Sequence, residues 1–281
     1  PRYTMAKPQM AALLADLKRL GSETDLDPGV NQDSVQLSSV LPLTGALKET
    51  GLLLKATLNA CVTEANAQGL IYGRRLIINT VDSRSSAEGA LKATQDTLNQ
   101  NTSFAFIANY FSDNTNESNQ AIEKSLIPNL APISFMATDQ SPLTTTLYFL
   151  PNYTDQARAL VDYWHDSPEF SQAKGKPALG IIRGDRSVDK LTAQSIHLQA
   201  GLHNLAMVGE IDWQGEKSTK ALKALLAKQP SALFFLGDSQ QLKTLNTVLI
   251  QTEQHPTLLS LMAMLGREAL QLNDLAFSKV F

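Results

Sequence analysis

Between Gln36 and Asp82 the chain passes through a short apolar stretch, a Pro-Leu-Thr-Gly turn, a long amphipathic stretch, a glycine break and a second apolar stretch. From the residues this is strand, loop, helix, strand. A helix of that length carries the chain back to the sheet edge it left, so the two strands must run parallel. Ligands of such sheets sit at the carboxyl ends of the strands.

The alternation continues along the chain. Apolar runs and helical periodicity predict strands at Gln36–Leu41, Leu76–Val81, Phe104–Ala108 and Pro132–Phe135, with helices over Leu47–Gln68, Ala87–Asn99 and Asn114–Leu126 between them. These make a first doubly wound lobe over residues 35–150. Past Pro151, helices over Asp155–His165, Lys190–Leu202, Ser218–Lys228 and Gln240–Gln251 interleave with strands at Ala178–Ile182, Met207–Asp212, Ala232–Leu236 and Leu258–Leu261. They form a second lobe over residues 151–281. The expected fold class is therefore α/β, two doubly wound parallel-sheet lobes with a hinge and an interlobe cleft. Ahead of the first lobe, residues 1–21 carry Met10, Leu13, Leu14 and Leu17 at helical spacing, closed by Gly21. Residues 22–34, rich in Asp, Pro and Gly, are the expected linker.

Composition limits the partners. At 281 residues, 43% hydrophobic and 18% charged, the chain has enough apolar material for two cores. Its net charge of -3, with no run of Lys or Arg, gives no footprint for nucleic acid or anionic lipid. The longest apolar runs, Ala232–Gly237 and Leu258–Leu265, fall well short of the roughly 20 residues of a membrane span. No charged stretch followed by an apolar one opens the sequence, so any export signal has been removed or lies upstream of Pro1. Cys61 is the only cysteine, which excludes an intrachain disulfide and a multi-cysteine metal site. With Leu58, Val62 and Ala65 at neighbouring helical positions, it is expected in the core. His165, His197, His203 and His255 are scattered without metal-ligand spacing, and no phosphate loop, nucleophile elbow or paired zinc histidines are found. No catalytic residue, metal site or cofactor is expected in this chain.

Several segments, in order, resemble one family. Leu41-Pro42-Leu43-Thr44-Gly45, Glu64-Ala65-Asn66-Ala67-Gln68-Gly69, Gly73-Arg74-Arg75 and Val81-Asp82-Ser83-Arg84-Ser85 are similar to type I periplasmic solute-binding proteins of the leucine/isoleucine/valine-binding branch. So are Ile127-Pro128, Pro132-Ile133-Ser134, Asp155–Leu160 and Ala232–Gly237, which extends the resemblance over nearly everything after Val35. It implies a periplasmic protein that closes two lobes over a small solute for an ABC permease, with further helices beyond Phe281 that complete the first lobe. The opening residues, Pro1-Arg2-Tyr3-Thr4-Met5, Gln9–Leu13 and Leu17–Gly21, resemble the end of a c-type cytochrome domain. That implies a haem domain upstream in the same polypeptide. No Cys-x-x-Cys-His lies in this chain to attach haem.

Candidate ligand-binding residues follow from the loops after the strands. Asn109–Thr115 opens a helix, whose free N–H groups and dipole suit a carboxylate. The family uses a serine there, and Ser112 is the nearest match; capping of the helix by Ser112 or Asp113 is the equal alternative. Tyr110 and Phe111 are candidate aromatic walls, or else packing residues. In the loop after the fourth strand the family binds solute through main-chain and threonine groups, which places Met136 and Thr138 as contacts against the alternative of a simple Ser/Thr turn. Leu43 lines the same wall. The second lobe offers Asp185 and Asp238 as polar candidates; Arg186 is a candidate partner for a ligand carboxylate, with a solvated surface residue the favoured alternative. It departs from the amino-acid binders by lacking a Tyr-Gly after the Arg183–Val188 loop and an acid after Leu258–Leu261, where Met262-Ala263-Met264 stands instead. The expected solute is amino-acid-like or an organic acid or aromatic carboxylate; because an ammonium enclosed without a counter-charge costs several kcal/mol, the less polar acids are favoured over a zwitterion. The alternatives to transport are a ligand-sensing or redox-accessory module fused to the cytochrome, and an enzyme on the same scaffold.

Overall fold

The computed structural model describes residues 27–69, 71–111, 116–135, 145–173, 175–266, 269, 276–277 and 279–281. The expected helix over residues 1–21 lies outside them. The described residues fall into two compact units, divided at Ser134/Phe135 and at Phe149/Leu150.

The first unit runs β1 (Ser34–Leu41), α1 (Lys48–Ala67), β2 (Arg75–Asp82), α2 (Ala87–Gln100), β3 (Ala105–Ile107), α3 (Asn116–Ser125), β4 (Asn129–Leu130) and β5 (Thr146–Leu147). All pairings are parallel, in the order β2-β1-β3-β4-β5. Val40, Ala93, Phe106 and Ile122 form the buried cluster on one face of this sheet, and Val35, Leu37 and Ala105 that on the other.

Two expectations fail in this unit. Pro132–Phe135 is not a strand; β4 lies three residues earlier, at Asn129–Leu130. Ala131 turns left-handed (φ 50°) and Pro132 has no N–H to give a ladder, so the chain leaves the sheet where the apolar run begins. Cys61 is exposed rather than in the core, because α1 fully buries only Gly51.

In the second unit α4 (Tyr153–His165) and the short α5 (Pro168–Ser171) precede β6 (Ala178–Arg183), α6 (Ser187–Leu202) and β7 (Ala206–Asp212). A 3-10 turn at Gly215–Ser218 leads into α7 (Thr219–Leu226), β8 (Ala232–Leu236), α8 (Ser239–Thr252), β9 (Thr257–Ser260), α9 (Met262–Leu265) and β10 (Lys279–Val280). The sheet is again wholly parallel, in the order β10-β9-β8-β6-β7. Every residue of β8 is buried, as expected of a central strand covered on both faces. Phe235 packs with Ile182, Leu222, Leu225 and Leu242 on one face, and Phe234 packs with Val161, Trp164, Ile181 and Ile196 on the other.

The two strand orders share a property that positions the site. The chain steps from β1 to β2 on one side, then crosses back so that β3 pairs on the other side of β1. In the second unit β6 is likewise flanked by β7 and β8. Each reversal leaves two neighbouring strands whose following loops diverge, and such switch points are where open α/β sheets bind ligands.

Because Phe234 and Phe235 point into separate clusters, truncating either leaves a cavity that the opposite face cannot fill. Phe235→Ala is expected to cost about 3–5 kcal/mol, read as a lower urea midpoint for the transition that reports the second unit.

Candidate functional site

At the first switch point the loop after β1 is held by a carboxylate. Asp82, the last residue of β2, accepts hydrogen bonds from the Leu43 N–H (2.9 Å), the Thr44 N–H (3.1 Å), the Thr44 hydroxyl (2.6 Å) and the Arg84 N–H (2.8 Å). The Ser85 hydroxyl donates to the Thr44 carbonyl (2.5 Å) and accepts from the Leu47 N–H (3.0 Å). Arg84 and Ser85 are both left-handed, which bends the turn after β2 toward this loop. Two glycines allow the approach. Gly45 has φ +82°, and a Cβ on Gly51 would lie 2.0 Å from the Pro42 carbonyl oxygen. Burial pushes the Asp82 carboxyl up, but the Thr44 hydroxyl and the three N–H groups outweigh it, so its pKa falls below the ordinary aspartate value. The Leu43 and Thr44 N–H groups are therefore committed to the protein's own carboxylate, and Leu43 has its side chain left to offer a solute.

The loop after β3 is fixed by an asparagine. β3 ends at Ile107, Ala108 turns left-handed (φ 48°), and the fully buried Asn109 then takes up the pairing with β1 through its side chain. The Val40 N–H donates to Asn109 Oδ1 (2.8 Å), and the Tyr110 N–H donates to the Val40 carbonyl (3.0 Å). Tyr110 is half-buried, and Phe111 packs against the cluster of Val40, Phe106 and Ile122, the packing alternative for that ring. Ser112, Met136 and Thr138 lie outside the described residues.

At the second switch point the expected surface arginine has a partner. Arg186 makes a two-pronged contact with the buried Asp189, through Nη2 to Oδ1 (2.8 Å) and Nε to Oδ2 (3.0 Å), while its own N–H also donates to Oδ2 (3.3 Å). This closes the start of α6. Asp185 is exposed and pairs with Lys190 (2.6 Å), which holds its carboxyl below the ordinary range. Asp238 caps α8, accepting from the Gln241 N–H (2.8 Å) while the Gln241 side chain accepts from the Asp238 N–H (3.1 Å). That reciprocal cap is readable in the sequence as Asp238-Ser239-Gln240-Gln241. Beside them Arg183 ends β6 between Glu210 and Asp212 of β7, 2.7 Å from the latter. Burial pushes Glu210 up, yet its bonds from Arg183 and His197 bring it below the ordinary glutamate value. Past β9, Leu261 is buried, Met262 is half exposed and Met264 is partly buried against the core.

The structure thus brings Leu43, Tyr110 and Phe111 to the first switch point, and Asp185 and Asp238 to the second. Sequence reasoning missed Asp82, Asn109 and Asp189, which hold these loops. The available signal was a polar residue at, or one turn beyond, the end of each apolar strand. It also missed Trp213, whose indole N–H just past β7 is buried and has no hydrogen-bond partner among the described residues. No group of three or more His, Cys, Asp or Glu among the described residues could hold a metal. No helix among them is long and apolar enough to cross a membrane.

A family model described as "Periplasmic binding protein" matches residues 34–275. Among solved structures, the chain is similar to an ABC transporter substrate-binding protein from Desulfitobacterium hafniense in complex with Leu, with TM-score 0.66 and 16% identity over 81% of this chain and 66% of that one. A fatty acid ABC transporter substrate-binding protein from Thermomonospora curvata gives TM-score 0.64 and 16% identity, covering 88% of this chain and 62% of the other. An amino acid ABC transporter substrate-binding protein from Pseudomonas fluorescens Pf-5 gives 0.62 and 13%, covering 82% and 62%. The chain spans under two thirds of the length of each of these three, and at such identities the likeness is one of fold. The search among curated proteins gives no match.

Two outcomes follow from the loop after β1. Gly51→Ala would stabilise an exposed helix by about 1 kcal/mol on propensity alone, but the Pro42 carbonyl reverses the sign, and a lower melting temperature is expected. Asp82 has a depressed pKa, so the stability it contributes is present above the unfolded value near 4 and is lost as pH falls through the folded value. Asp82→Asn is therefore expected to lower the melting temperature at pH 7, with the difference from wild type shrinking in titrations taken below about pH 4.

Proposed function

Because the chain belongs to the periplasmic binding protein family, we propose that it captures a small organic acid outside the cytoplasm for an ABC permease, using the loops at its two switch points and no bond chemistry. The observation that carries this reading is the family match over residues 34–275, which takes in β1 to β9. A protein of this class works by favouring one conformation when the solute is bound, and the solute shifts that balance only by its differential affinity. Tyr110, Phe111 and Leu43 supply the apolar and aromatic contacts. Ser112, Met136 and Thr138 are proposed as carboxylate-binding groups, through hydroxyls and main-chain N–H donors.

The second unit supports an acid over an amino acid. Past β9 stand Leu261, Met262, Ala263 and Met264, with no carboxylate to face an ammonium. Asp238 is occupied as a helix cap and Asp185 by Lys190. A zwitterion would bury its ammonium unpaired, whereas an aromatic or aliphatic carboxylate meets no such penalty.

Thermal-shift measurements with benzoate, octanoate and L-leucine, each at the same concentration, test the reading. A rise of several degrees with benzoate or octanoate, and little with leucine, is expected; Ser112→Ala should reduce it. A larger rise with leucine would overturn the argument from the missing acid.

A further inference from the structure

In the first unit a line of buried amides links the strands behind the switch point. Asn109 and Asn129 are both fully buried, on the loop after β3 and in β4. Asn109 Nδ2 donates to Asn129 Oδ1 (3.0 Å), and Asn129 Nδ2 donates to Asn119 Oδ1 on α3 (3.2 Å) and to Thr146 Oγ1 on β5 (3.4 Å). The direction of this line is not free. The Val40 N–H requires an oxygen, so Asn109 must turn Oδ1 to β1 and Nδ2 to Asn129. Asn129 must then accept on Oδ1 and donate onward. One main-chain donor thereby orients two amide side chains across four strands.

The same asparagine joins two loops. Its carbonyl accepts from the Ile133 N–H (2.8 Å), and the residue after it, Tyr110, bonds back to Val40. Both loops leave their strands through a left-handed alanine, Ala108 (φ 48°) and Ala131 (φ 50°), an unfavourable conformation for a residue with a Cβ. Something must hold them there. Asparagine is a poor strand former, and a fully buried amide gains little net stability over an apolar residue of the same shape. At Asn109 an apolar residue would orphan the Val40 N–H, but Asn129 bonds the side chains of Asn109, Asn119 and Thr146, and stability alone does not account for a buried amide there.

We propose that Asn109 and Asn129 are positioning residues that pin the loop carrying Tyr110 and Phe111 to the loop carrying Ile133 and Ser134, and so set the spacing of the groups that meet the solute. The solute part of this proposal rests on the function proposed above; the pinning does not. A purely structural pair would change stability when altered and leave local loop order and affinity in proportion to it. A positioning pair changes loop order and affinity beyond what the stability loss explains.

The experiment compares Asn129→Leu, which keeps size and removes both hydrogen-bonding ends, with Asn119→Ala, which removes one of the two acceptors of Asn129 Nδ2 and leaves Thr146. Ile122→Val, in the buried cluster of the same unit, is the control for general destabilisation. Amide hydrogen exchange at Tyr110 and Ile133 is read without solute, at a temperature where all variants are folded. Asn129→Leu should speed exchange of both amides about tenfold over the Ile122→Val control, and Asn119→Ala by a smaller factor in the same direction. Titration with benzoate and octanoate should then show affinity about tenfold weaker in Asn129→Leu and unchanged in Ile122→Val. Equal exchange at Tyr110 and Ile133 in Asn129→Leu and Ile122→Val overturns the pinning, and if Asn129→Leu does not fold, equal exchange in Asn119→Ala and the control does so. If the wild type binds neither probe while exchange behaves as expected, the proposed solute class fails and the pinning stands.

Discussion

A parallel strand can meet its neighbour in sequence only after the chain has travelled the length of the sheet and back. That constraint governs this protein, because it puts every strand's carboxyl end, and every loop that follows a strand, on one edge of its sheet. Where the chain steps one way and then the other, as from β1 to β2 and then to β3, the two following loops part at a switch point. The same arrangement recurs at β6, β7 and β8. The two units thus reach one solution by the same route, with different residues.

Those edges are built by polar side chains that stand in for main chain. β3 is three residues long and cannot pair with β1 as far as its loop, so the Asn109 amide continues the ladder one position further. Asp82 does the equivalent for the loop after β1, collecting four donors at the end of β2. In the second unit Asp189 gathers the guanidinium and main-chain N–H of Arg186. Asn109 satisfies a buried main-chain donor, where an unmade hydrogen bond costs about 1–3 kcal/mol, whereas Asp82 and Asp189 gather more exposed donors and so fix the shape of their loops. The loops are held by these acceptors, by close approaches such as that of Gly51 to Pro42 and, after β3, by the packing of Phe111 on the core.

The residues expected to bind ligand divide accordingly. Leu43, Tyr110 and Phe111 are brought to one switch point, though Phe111 leans on the core beneath it. Asp185 and Asp238 reach the other already engaged, one by Lys190 and one as a helix cap. Both carboxylates are thus already engaged within the second unit.

Strand and helix alternation, the parallel sheets and the division into two lobes followed from the sequence, because burial on both faces leaves apolar runs and crossover helices leave periodic ones. The central strand Ala232–Leu236 was predicted residue for residue for that reason. Periodicity could not place β4, since Asn129 looks like a loop residue until Asn109 and Thr146 are seen beside it, and Pro132–Phe135 looks like a strand until Ala131 turns away. Nor could it place Cys61, because helical spacing says which residues share a face but not how closely that face approaches the sheet. Hydrogen bonds between residues twenty or more positions apart, such as Asn109 with Asn129 and Val40 with Asn109, have no local signature. They were decided only when the tertiary fold brought the partners into register.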